Sequence, residues 1–526
     1  MKFLREIKIS LFQLILIFVA VSTIAVLSFF SFAENPAPAV ITNLVKKDSV
    51  TIPVNIIKPD TSPLHQLLFT IDTLARSPGL AYGSFGFSLV SIDSNKIITE
   101  YNSHISLVPA SVMKTLSTGI ALAKLGADYK YETCLQYDGE IDPATKILHG
   151  NIYIQGSGDP SLGSDAFGNT GIKTIVGAWT SAIKNWGIDS IDGAVIGDAQ
   201  YFDNDLIPGG WAWEDMQSSY GAGASGLAFR ENTYDVDVKC KGKFVYASTY
   251  PPVPGIILHN QVLYNVSIPK NYLFVAGAPY QNERFLLGEV KSNYTERSNI
   301  PDPALCCAYN LFLQLKANNI GIKDSCTTVF KLKLNGDYYK KERKKIHSTL
   351  SPPLTKLVNL TNKTSQNFYA ETLLKTLGAQ EKGFGTIAGG IKEVISYLKE
   401  KNIDLRGFYM ADGSGLSRLN SVTPKFLTDL LVAYANDPSM FQPFYNSLSV
   451  AGESGTMEHV AQESIAVGNI HAKSGSMGRV QSYAGYVTTR SGRMLAFSVI
   501  LNNQGWDYMQ TRKKLETLMV LMASLD

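Results

Sequence analysis

The sequence predicts an α/β fold in which one domain is interrupted by a strand-rich insertion. Between residues 63 and 132, helical and strand-like hydrophobic periods alternate. From residue 133 to residue 349, short strand-like runs are separated by glycine and proline, and beyond residue 350 amphipathic helices lead into a last group of strands. We therefore expect residues 63–132 and 350–526 to form one domain, with residues 133–349 inserted as one or two β-rich subdomains.

Length, composition and net charge limit the classes of protein to which this chain can belong. A single core does not hold 526 residues, so two or more domains are expected. A hydrophobic content of 45% and a charged content of 18% exclude wholesale disorder. The net charge of +3 is too small to indicate a protein that binds nucleic acid.

The N-terminus has the pattern of an export segment. Three basic residues among the first eight precede an apolar run from Leu11 to Ala33, and small side chains at Ser31 and Ala33 fit secretory cleavage after residue 33. The run is also long enough for an uncleaved anchor, so residues 1–33 are either a signal peptide or a membrane anchor. The proline-rich stretch 34–62 is expected to be a tether, and the remainder of the chain to be exported.

The elements before the insertion are a helix, two strands and a second helix. Residues 65–75 have helical periodicity, residues 84–92 alternate as a strand and residues 96–102 continue as its neighbour. The apolar run 112–125 follows Pro109 and Ser111, as expected where a helix begins.

The insertion and the C-terminal part contain further strands and helices. In the insertion, residues 150–156 and 233–239 alternate as strands, and residues 172–186 form a helix. After it, the same patterns predict helices at 354–360, 367–377, 387–401 and 423–436, strands at 471–473, 481–488 and 494–501, and a final helix at 508–523.

Cysteine and histidine spacing favours no metal site. The five cysteines and seven histidines are scattered, the cysteine spacing matches no zinc motif and no His-Glu-x-x-His motif occurs. We predict neither a metal nor another cofactor. Export makes one disulfide plausible, from Cys306 or Cys307 to Cys326, and leaves at least one thiol free.

A serine and a lysine three residues apart, Ser111 and Lys114, form the best candidate for a reactive pair. A serine hydroxyl becomes nucleophilic only beside a base, and this spacing puts both side chains on one face of a helix. At a helix N-terminus, free backbone N–H groups also stabilise developing negative charge. Other Ser-x-x-Lys matches lie on predicted helix surfaces or contain a proline; they begin at Ser181, Ser396 and Ser267.

Two further short motifs follow Ser111 in a fixed order. Ser365-Gln366-Asn367 precedes a predicted helix, and Lys473-Ser474-Gly475 ends a predicted strand. Taken separately, Ser365 is interpretable as a helix cap and Lys473 as an exposed strand end. The order Ser-x-x-Lys, Ser-x-Asn, Lys-Ser/Thr-Gly is that of the penicillin-recognising serine enzymes.

A longer match sharpens this resemblance. The run 412–420, Asp-Gly-Ser-Gly-Leu-Ser-Arg-Leu-Asn, together with Gly-Asp-Pro-Ser-Leu at 158–162 and Val-Ala-Gly-Glu-Ser-Gly-Thr at 450–456, resembles the class C low-molecular-mass penicillin-binding proteins. These are D-alanyl-D-alanine carboxypeptidases and endopeptidases. The resemblance covers about residues 65–520 and implies the penicillin-binding-protein/serine β-lactamase-like transpeptidase fold, an antiparallel sheet sandwiched by helices.

The resemblance also implies catalytic roles. Ser111 would attack the carbonyl of a D-Ala-D-Ala bond, and Lys114, with a pKa lowered by the charge of Lys473, would act as the base. Ser365 would relay the proton to the leaving amine, while Asn367 orients Lys114 and the substrate. The backbone N–H groups of Ser111 and Ser476 would form the oxyanion hole.

Substrate-binding residues follow from the same resemblance. Lys473, Ser474 and Gly475 would hold the terminal carboxylate. Asp215, Tyr220, Arg418 and Met477 would line a pocket for the side chain of a peptidoglycan stem peptide, with an acid and an arginine suited to a diaminopimelate end. The alternative is structural, with Trp211 and Trp213 in the core and Asp215 capping a turn.

The expected protein is an exported serine-type D-Ala-D-Ala carboxypeptidase or endopeptidase. It would hydrolyse stem peptides ending in D-Ala-D-Ala, be acylated by β-lactam antibiotics, and work in the periplasm or on the extracytoplasmic face of a bacterial membrane, which it would touch only through an uncleaved N-terminal segment. A β-lactamase or esterase on the same scaffold and a non-catalytic wall-binding protein are the alternatives. The sequence does not separate carboxypeptidase from endopeptidase activity.

Overall fold

The structure, a computed structural model, describes residues 61–526. The predicted export segment and almost all of the predicted tether lie outside this range. Within it, no helix has the length and apolar character needed to cross a bilayer.

The helices follow the predicted order closely. Most predicted helices are confirmed within one or two residues, and the helices after residue 354 and after residue 367 run longer than predicted. The α-helices are α1 (Pro63–Ala75), α2 (Lys114–Leu125), α3 (Ile172–Asn185), α4 (Trp213–Gln217), α5 (Pro303–Ala317), α6 (Val329–Asn335), α7 (Leu354–Thr364), α8 (Asn367–Lys382), α9 (Ile387–Glu400), α10 (Pro424–Ala435), α11 (Phe441–Ser447) and α12 (Tyr508–Ala523).

The strands fall into two sets, those outside residues 132–350 and those within them. The first set is β1 (Ser84–Ser91), β2 (Ile97–Tyr101), β19 (Ser449–Val450), β20 (Ile470–Met477), β21 (Val480–Thr488) and β22 (Met494–Asn502). The second set is β3 (Glu132–Tyr137), β4 (Glu140–Asp142), β5 (Ile147–His149), β6 (Ile152–Gln155), β7 (Ser190–Ile191), β8 (Val195–Asp198), β9 (Thr233–Lys241), β10 (Phe244–Tyr250), β11 (Ile257–Asn260), β12 (Leu263–Tyr264), β13 (Tyr272–Ala276), β14 (Glu283–Val290), β15 (Tyr294–Asn299), β16 (Gly321–Ile322), β17 (Thr327–Thr328) and β18 (Lys344–Leu350).

The first set forms one six-stranded antiparallel sheet in the order β19-β20-β21-β22-β1-β2. Side chains alternate between its faces, so Phe85 and Phe87 of β1 enter the core beneath α1 and α12. On the opposite face, Ala484 and Ile500 enter a second core with α2, α8 and α10. This antiparallel sheet between helical layers confirms the predicted fold class.

The second set forms separate sheets around its own core. A five-stranded sheet has the order β17-β8-β6-β3-β18, and smaller sheets of four, three and four strands accompany it. The first and last strands of this set, β3 and β18, are antiparallel neighbours, and Glu132 of β3 pairs with Leu350 of β18. The chain therefore enters and leaves this region at adjacent positions. The strand-rich interruption is thus present, while the domain boundaries themselves stay a prediction.

The cysteines differ from expectation. All five, which lie within the described residues, are free thiols, so the expected bridge to Cys326 is absent. Cys306 and Cys307 lie fully buried in α5, where they pack as small apolar side chains.

Candidate active site

Ser111 lies in a short 3₁₀ turn, Ala110–Met113, immediately before α2. Ala110 has a left-handed backbone, with φ of +49°, which turns the chain sharply just before the serine. The sequence predicts that Ser111 opens the helix; the structure makes Lys114 the first α-helical residue. The serine is therefore presented on a bend at the helix entrance.

Lys114 is fully buried at the centre of the site. Its Nζ donates to Ser111 Oγ at 2.9 Å, to Asn367 Oδ1 at 2.6 Å and to the Ser414 carbonyl at 2.8 Å. Three acceptors match the three protons of an ammonium group. The lysine therefore has a single defined position beside the serine.

Burial lowers the pKa of Lys114 to about 7, and the nearby carboxyl groups of Asp412 and Glu371 partly oppose this shift. Burial removes water from the ammonium form and is the largest cause, whereas the sequence pointed to the charge of Lys473. The two lysines do repel each other, and the pKa of Lys473 is lowered first by burial and then by the charge of Lys114.

A second serine and lysine pair lies across the site. Lys473 is fully buried, and its Nζ donates to Ser365 Oγ at 3.0 Å and to the Ser474 carbonyl at 2.7 Å. Ser365 follows the end of α7 with a left-handed backbone, and its side chain caps neither helix. Ser365 thus caps the C-terminus of α7 through its backbone, which leaves its hydroxyl free for Lys473, and the exposed-strand interpretation of Lys473 is wrong.

Asn367, the first residue of α8, joins the catalytic lysine to the insertion. Its Oδ1 accepts from Lys114, and its Nδ2 donates to the Tyr220 carbonyl at 2.9 Å. A lysine only donates, so its contact fixes which end of the amide faces it. The insertion thereby helps to orient the residue that holds Lys114.

Two buried carboxyl groups support the site from behind. Glu371 lies one turn after Asn367, and its oxygens accept from the backbone N–H groups of Gly413 at 3.0 Å and Ser414 at 2.8 Å. Because the Ser414 carbonyl accepts from Lys114, Glu371 positions the base through one peptide unit. Burial and the neighbouring Asp412 raise the pKa of Glu371.

Asp412 holds the loop 412–420 in shape. Its Oδ1 accepts from the Gly415 N–H, and its Oδ2 from the Ser417 N–H and from Trp211 Nε1 at 2.8 Å. A side chain on Gly415, where φ is +82°, would overlap the Ala110 carbonyl. The loop can therefore pack directly against the turn that carries Ser111.

The strand β20 passes close to Ser111 because Gly475 has no side chain. A Cβ there would lie 2.6 Å from the Pro109 carbonyl and 3.0 Å from the Ser111 nitrogen. The next residue, Ser476, is exposed. The predicted oxyanion hole of Ser111 and Ser476 depends on this approach and stays a prediction.

On the same strand, Ser474 Oγ donates to Thr456 Oγ1 at 2.7 Å. Thr456 belongs to the segment 450–456 that carries part of the resemblance.

The predicted substrate pocket is only partly assembled. Tyr220 donates to Asp215 Oδ1 at 2.9 Å, beside Asn367. Arg418 is exposed, and its NH1 lies 3.4 Å from the Gly478 carbonyl, one residue after Met477. Among residues 61–526 no hydrogen bond or ion pair links Arg418 to Asp215.

The alternative interpretation placed both Trp211 and Trp213 in the core, and the structure buries one of them. Trp211 is buried against Asp412, whereas Trp213 is half exposed.

Sequence reasoning missed three contributors to the site: Glu371, the Ser414 carbonyl and Thr456. The spacing of Glu371 from Asn367, one helical turn, was the available signal. In the part of the chain that the structure describes, no three His, Cys, Asp or Glu side chains cluster as metal ligands.

The arrangement suits acyl transfer through a serine nucleophile. Near neutral pH, a lysine with a pKa of about 7 is partly unprotonated and can take the proton of Ser111. The second pair, Ser365 and Lys473, can pass a proton to a leaving group on the other side of the attacked carbonyl.

Known proteins have sequences similar to that of this chain. The chain is 26% identical to the D-alanyl-D-alanine carboxypeptidase of Actinomadura sp. (strain R39), over 84% of this chain and 81% of the relative. It is 24% identical to the D-alanyl-D-alanine carboxypeptidase DacB of Haemophilus influenzae, over 82% of this chain and 87% of that protein.

The crystal structure of penicillin binding protein 4 (dacB) from Haemophilus influenzae superposes with a TM-score of 0.73 at 22% identity, covering 87% of this chain and 97% of the other, which shows the same fold. A sequence model of the D-Ala-D-Ala carboxypeptidase 3 (S13) family matches residues 67–525. Because this match spans nearly the whole described chain and confirms the resemblance, the protein belongs to the D-Ala-D-Ala carboxypeptidase 3 (S13) family.

Proposed function

We propose that this serine D-Ala-D-Ala carboxypeptidase acts after export on peptidoglycan stem peptides that end in D-Ala-D-Ala. The observation that carries the proposal is the position of Lys114, whose Nζ contacts both Ser111 and Asn367 from a buried site. In the first step Ser111 Oγ attacks the carbonyl of the penultimate D-alanine, and Lys114 takes the hydroxyl proton.

The tetrahedral intermediate then collapses and the C–N bond breaks. Ser365, held by Lys473, delivers a proton to the nitrogen of the leaving D-alanine. Lys114 passes the proton taken from Ser111 to Ser365 and is thereby restored as a base. Lys473 and Ser474 hold the terminal carboxylate of the substrate. Water then attacks the ester and loses a proton to Lys114, and Lys114 returns that proton to Ser111 Oγ as the shortened peptide leaves.

The substrate pocket belongs to the proposal. Asp215, Tyr220 and Arg418 would receive the polar end of a stem side chain, since Arg418 is exposed and, among residues 61–526, its side chain forms one hydrogen bond, to the Gly478 carbonyl. The family relationship supports β-lactams as acylating ligands, and one structure of the Haemophilus influenzae protein is described as a complex with a β-lactam.

Labelling with a fluorescent penicillin tests the nucleophile. We expect the wild type to be labelled stably and Ser111→Ala to lose all label. Ser181→Ala is the matched control, because Ser181 begins another Ser-x-x-Lys sequence on the exposed side of α3. Absence of label on the wild type, or label on Ser111→Ala, contradicts the proposal, and rapid release of hydrolysed penicillin supports a β-lactamase instead.

Mass analysis of muropeptides tests the substrate. After incubation with the protein, uncross-linked pentapeptides should lose one alanine, and loss of cross-linked dimers would add endopeptidase activity. Unchanged muropeptides beside a protein that still binds penicillin would favour the esterase alternative. The N-terminal mass of the protein recovered from cells distinguishes a cleaved signal from an anchor.

A further inference from the structure

A cleft distinct from the two serine and lysine pairs lies near the far end of α8. Its volume is about 500 Å³, within the range of pockets that hold small ligands. The insertion supplies most of its walls, including Phe202, Tyr280 and Phe330, and the loop between α8 and α9 supplies Phe384. Nothing in the proposed chemistry uses this cleft.

Four aromatic rings contribute to its walls, among polar side chains. Tyr280 is 39% exposed and Phe384 is 45% exposed, although both line a concave surface. The ring of Tyr280 leans on that of Phe330, with centroids 5.2 Å apart, and is fixed by its hydroxyl bond to the Asn204 carbonyl. Rings held in this way offer rigid apolar faces to a ligand at a low cost in conformational entropy.

Polar groups that lack a hydrogen-bond partner in the described chain lie beside these rings. The side chains of Gln200 and Asn204 form no hydrogen bond within the described chain. Asp302 is only 9% exposed, and its Oδ1 caps α5 while its Oδ2 has no hydrogen-bond partner. Lys331 Nζ faces this Oδ2 at 3.7 Å, beyond hydrogen-bond distance, so a ligand N–H or O–H there would add the hydrogen bond that it lacks.

Charge in the cleft is balanced. Asp203 pairs with the buried Lys375 at 2.6 Å, and Asp302 lies 3.7 Å from Lys331. Neither sign dominates, which disfavours a phosphate or a polycation. Open aromatic faces with free amides and a buried acceptor instead fit a neutral ring that carries hydroxyl and amide groups.

The position of the cleft matches the length of a stem peptide. Along α8, Lys375 lies two turns beyond Asn367, or about 12 Å. The segment 220–225 runs beside this stretch, since the Tyr220 carbonyl accepts from Asn367, the Ala224 carbonyl accepts from Lys375, and Ser225 lines the cleft. Four extended residues span about 13–14 Å, so the separation between Asn367 and the cleft is comparable to the length of a four-residue peptide.

We propose that this cleft binds an N-acetylhexosamine of the glycan strand to which the stem peptide is attached, an inference that rests on the proposed function. The sugar ring would stack on Phe384 and Tyr280. Its hydroxyl groups would meet Gln200 and Asn204, and its acetamido N–H would donate to Asp302. The cleft would thus select stems still attached to glycan.

Kinetics with two substrates tests the inference. We expect the KM for a disaccharide-linked pentapeptide to be about tenfold lower than for the free pentapeptide, a difference of about 1.4 kcal/mol. Phe384→Ala should raise the KM for the disaccharide-linked pentapeptide to that for the free pentapeptide. It should leave the KM for the free pentapeptide and the kcat for both substrates unchanged. Asn204→Ala, at an exposed position, should also raise the KM for the disaccharide-linked pentapeptide. Phe244→Ala is the matched control, because Phe244 is 70% exposed on a different sheet.

Direct binding separates the cleft from catalysis. Titration of the Ser111→Ala protein with N,N′-diacetylchitobiose should show saturable binding. The further substitution Phe384→Ala should abolish that binding. Equal KM values for the two substrates, or chitobiose binding that survives Phe384→Ala, overturns the inference. If neither peptide is hydrolysed the proposed function fails, while the titration still decides whether the cleft binds sugar.

Discussion

At the scale of single residues, Lys114 sets the pH dependence of the reaction. Its pKa of about 7 means that the amine is protonated and inactive as a base at lower pH, and free at higher pH. The rate of acylation by penicillin should therefore rise through about pH 7, measured by stopped flow between pH 5 and pH 9. Lys114→Arg, which cannot lose its proton, should slow acylation at least about 100-fold. A flat profile would remove Lys114 from the role of base.

Glu371 should matter although it does not touch the nucleophile. Both of its oxygens accept backbone N–H groups, so Glu371→Gln places an amide donor against one of them. We expect a loss of about 1–3 kcal/mol in the free energy of unfolding, with slower acylation because the Ser414 carbonyl no longer holds Lys114. Urea unfolding and penicillin labelling measure the two effects. Glu342→Gln, at an exposed position, is the control and should change neither.

The sequence could identify the candidate catalytic residues but not those that support them. Ser111, Lys114, Ser365, Asn367 and Lys473 lie in short ordered motifs, and the structure places all five together. Glu371 and the Ser414 carbonyl act through the folded loop 412–420, and a backbone carbonyl leaves no trace in side-chain identity. The cause of the lowered Lys114 pKa was likewise hidden, because burial depends on packing from three parts of the chain.

At the scale of elements, the contact between β20 and the Ser111 turn depends on one missing side chain. Gly475→Ala would push β20 away from Pro109 and Ser111, since backbone atoms there cannot yield as a flexible side chain would. A displacement near 1 Å should slow acylation at least about 100-fold, as measured with fluorescent penicillin.

Gly478→Ala is the matched control for that substitution. Its new Cβ would meet only the mobile end of Arg418, at 3.3 Å. This variant should acylate at the normal rate, and a similar loss in both variants would refute the argument from close approach.

Element boundaries were predicted well where hydrophobic periods are strong, as for α12 and β22. The turn at Ala110 was not, because an alanine carries no signal for a left-handed backbone and adopts one here only under tertiary packing. The insertion was predicted as strand-rich, but its division into four sheets depends on pairings between strands of two to nine residues that periodicity does not specify.

At the scale of the whole molecule, the insertion completes the active site. It contributes the Tyr220 carbonyl to Asn367 and the Trp211 side chain to Asp412, and its Asp203 pairs with the buried Lys375 of α8. Replacing residues 133–349 with a short linker should therefore abolish penicillin labelling even though all strands of the six-stranded sheet remain. Circular dichroism of the shortened protein checks that it folds, and normal labelling would show that the insertion is dispensable.

The pairing of β1 with β22 has a consequence for how the newly made chain folds. Ser84 pairs with Asn502, so one neighbour of β1 is synthesised only near the end of translation. Until then the edge of β1 that faces β22 is unpaired, and Phe85 and Leu89 lack the cover of α12, which is made later still. Contacts this distant in sequence form slowly and leave an aggregation-prone intermediate. We conclude that during synthesis the insertion can assemble first, while the reactive domain must be kept from premature association until its last strand arrives.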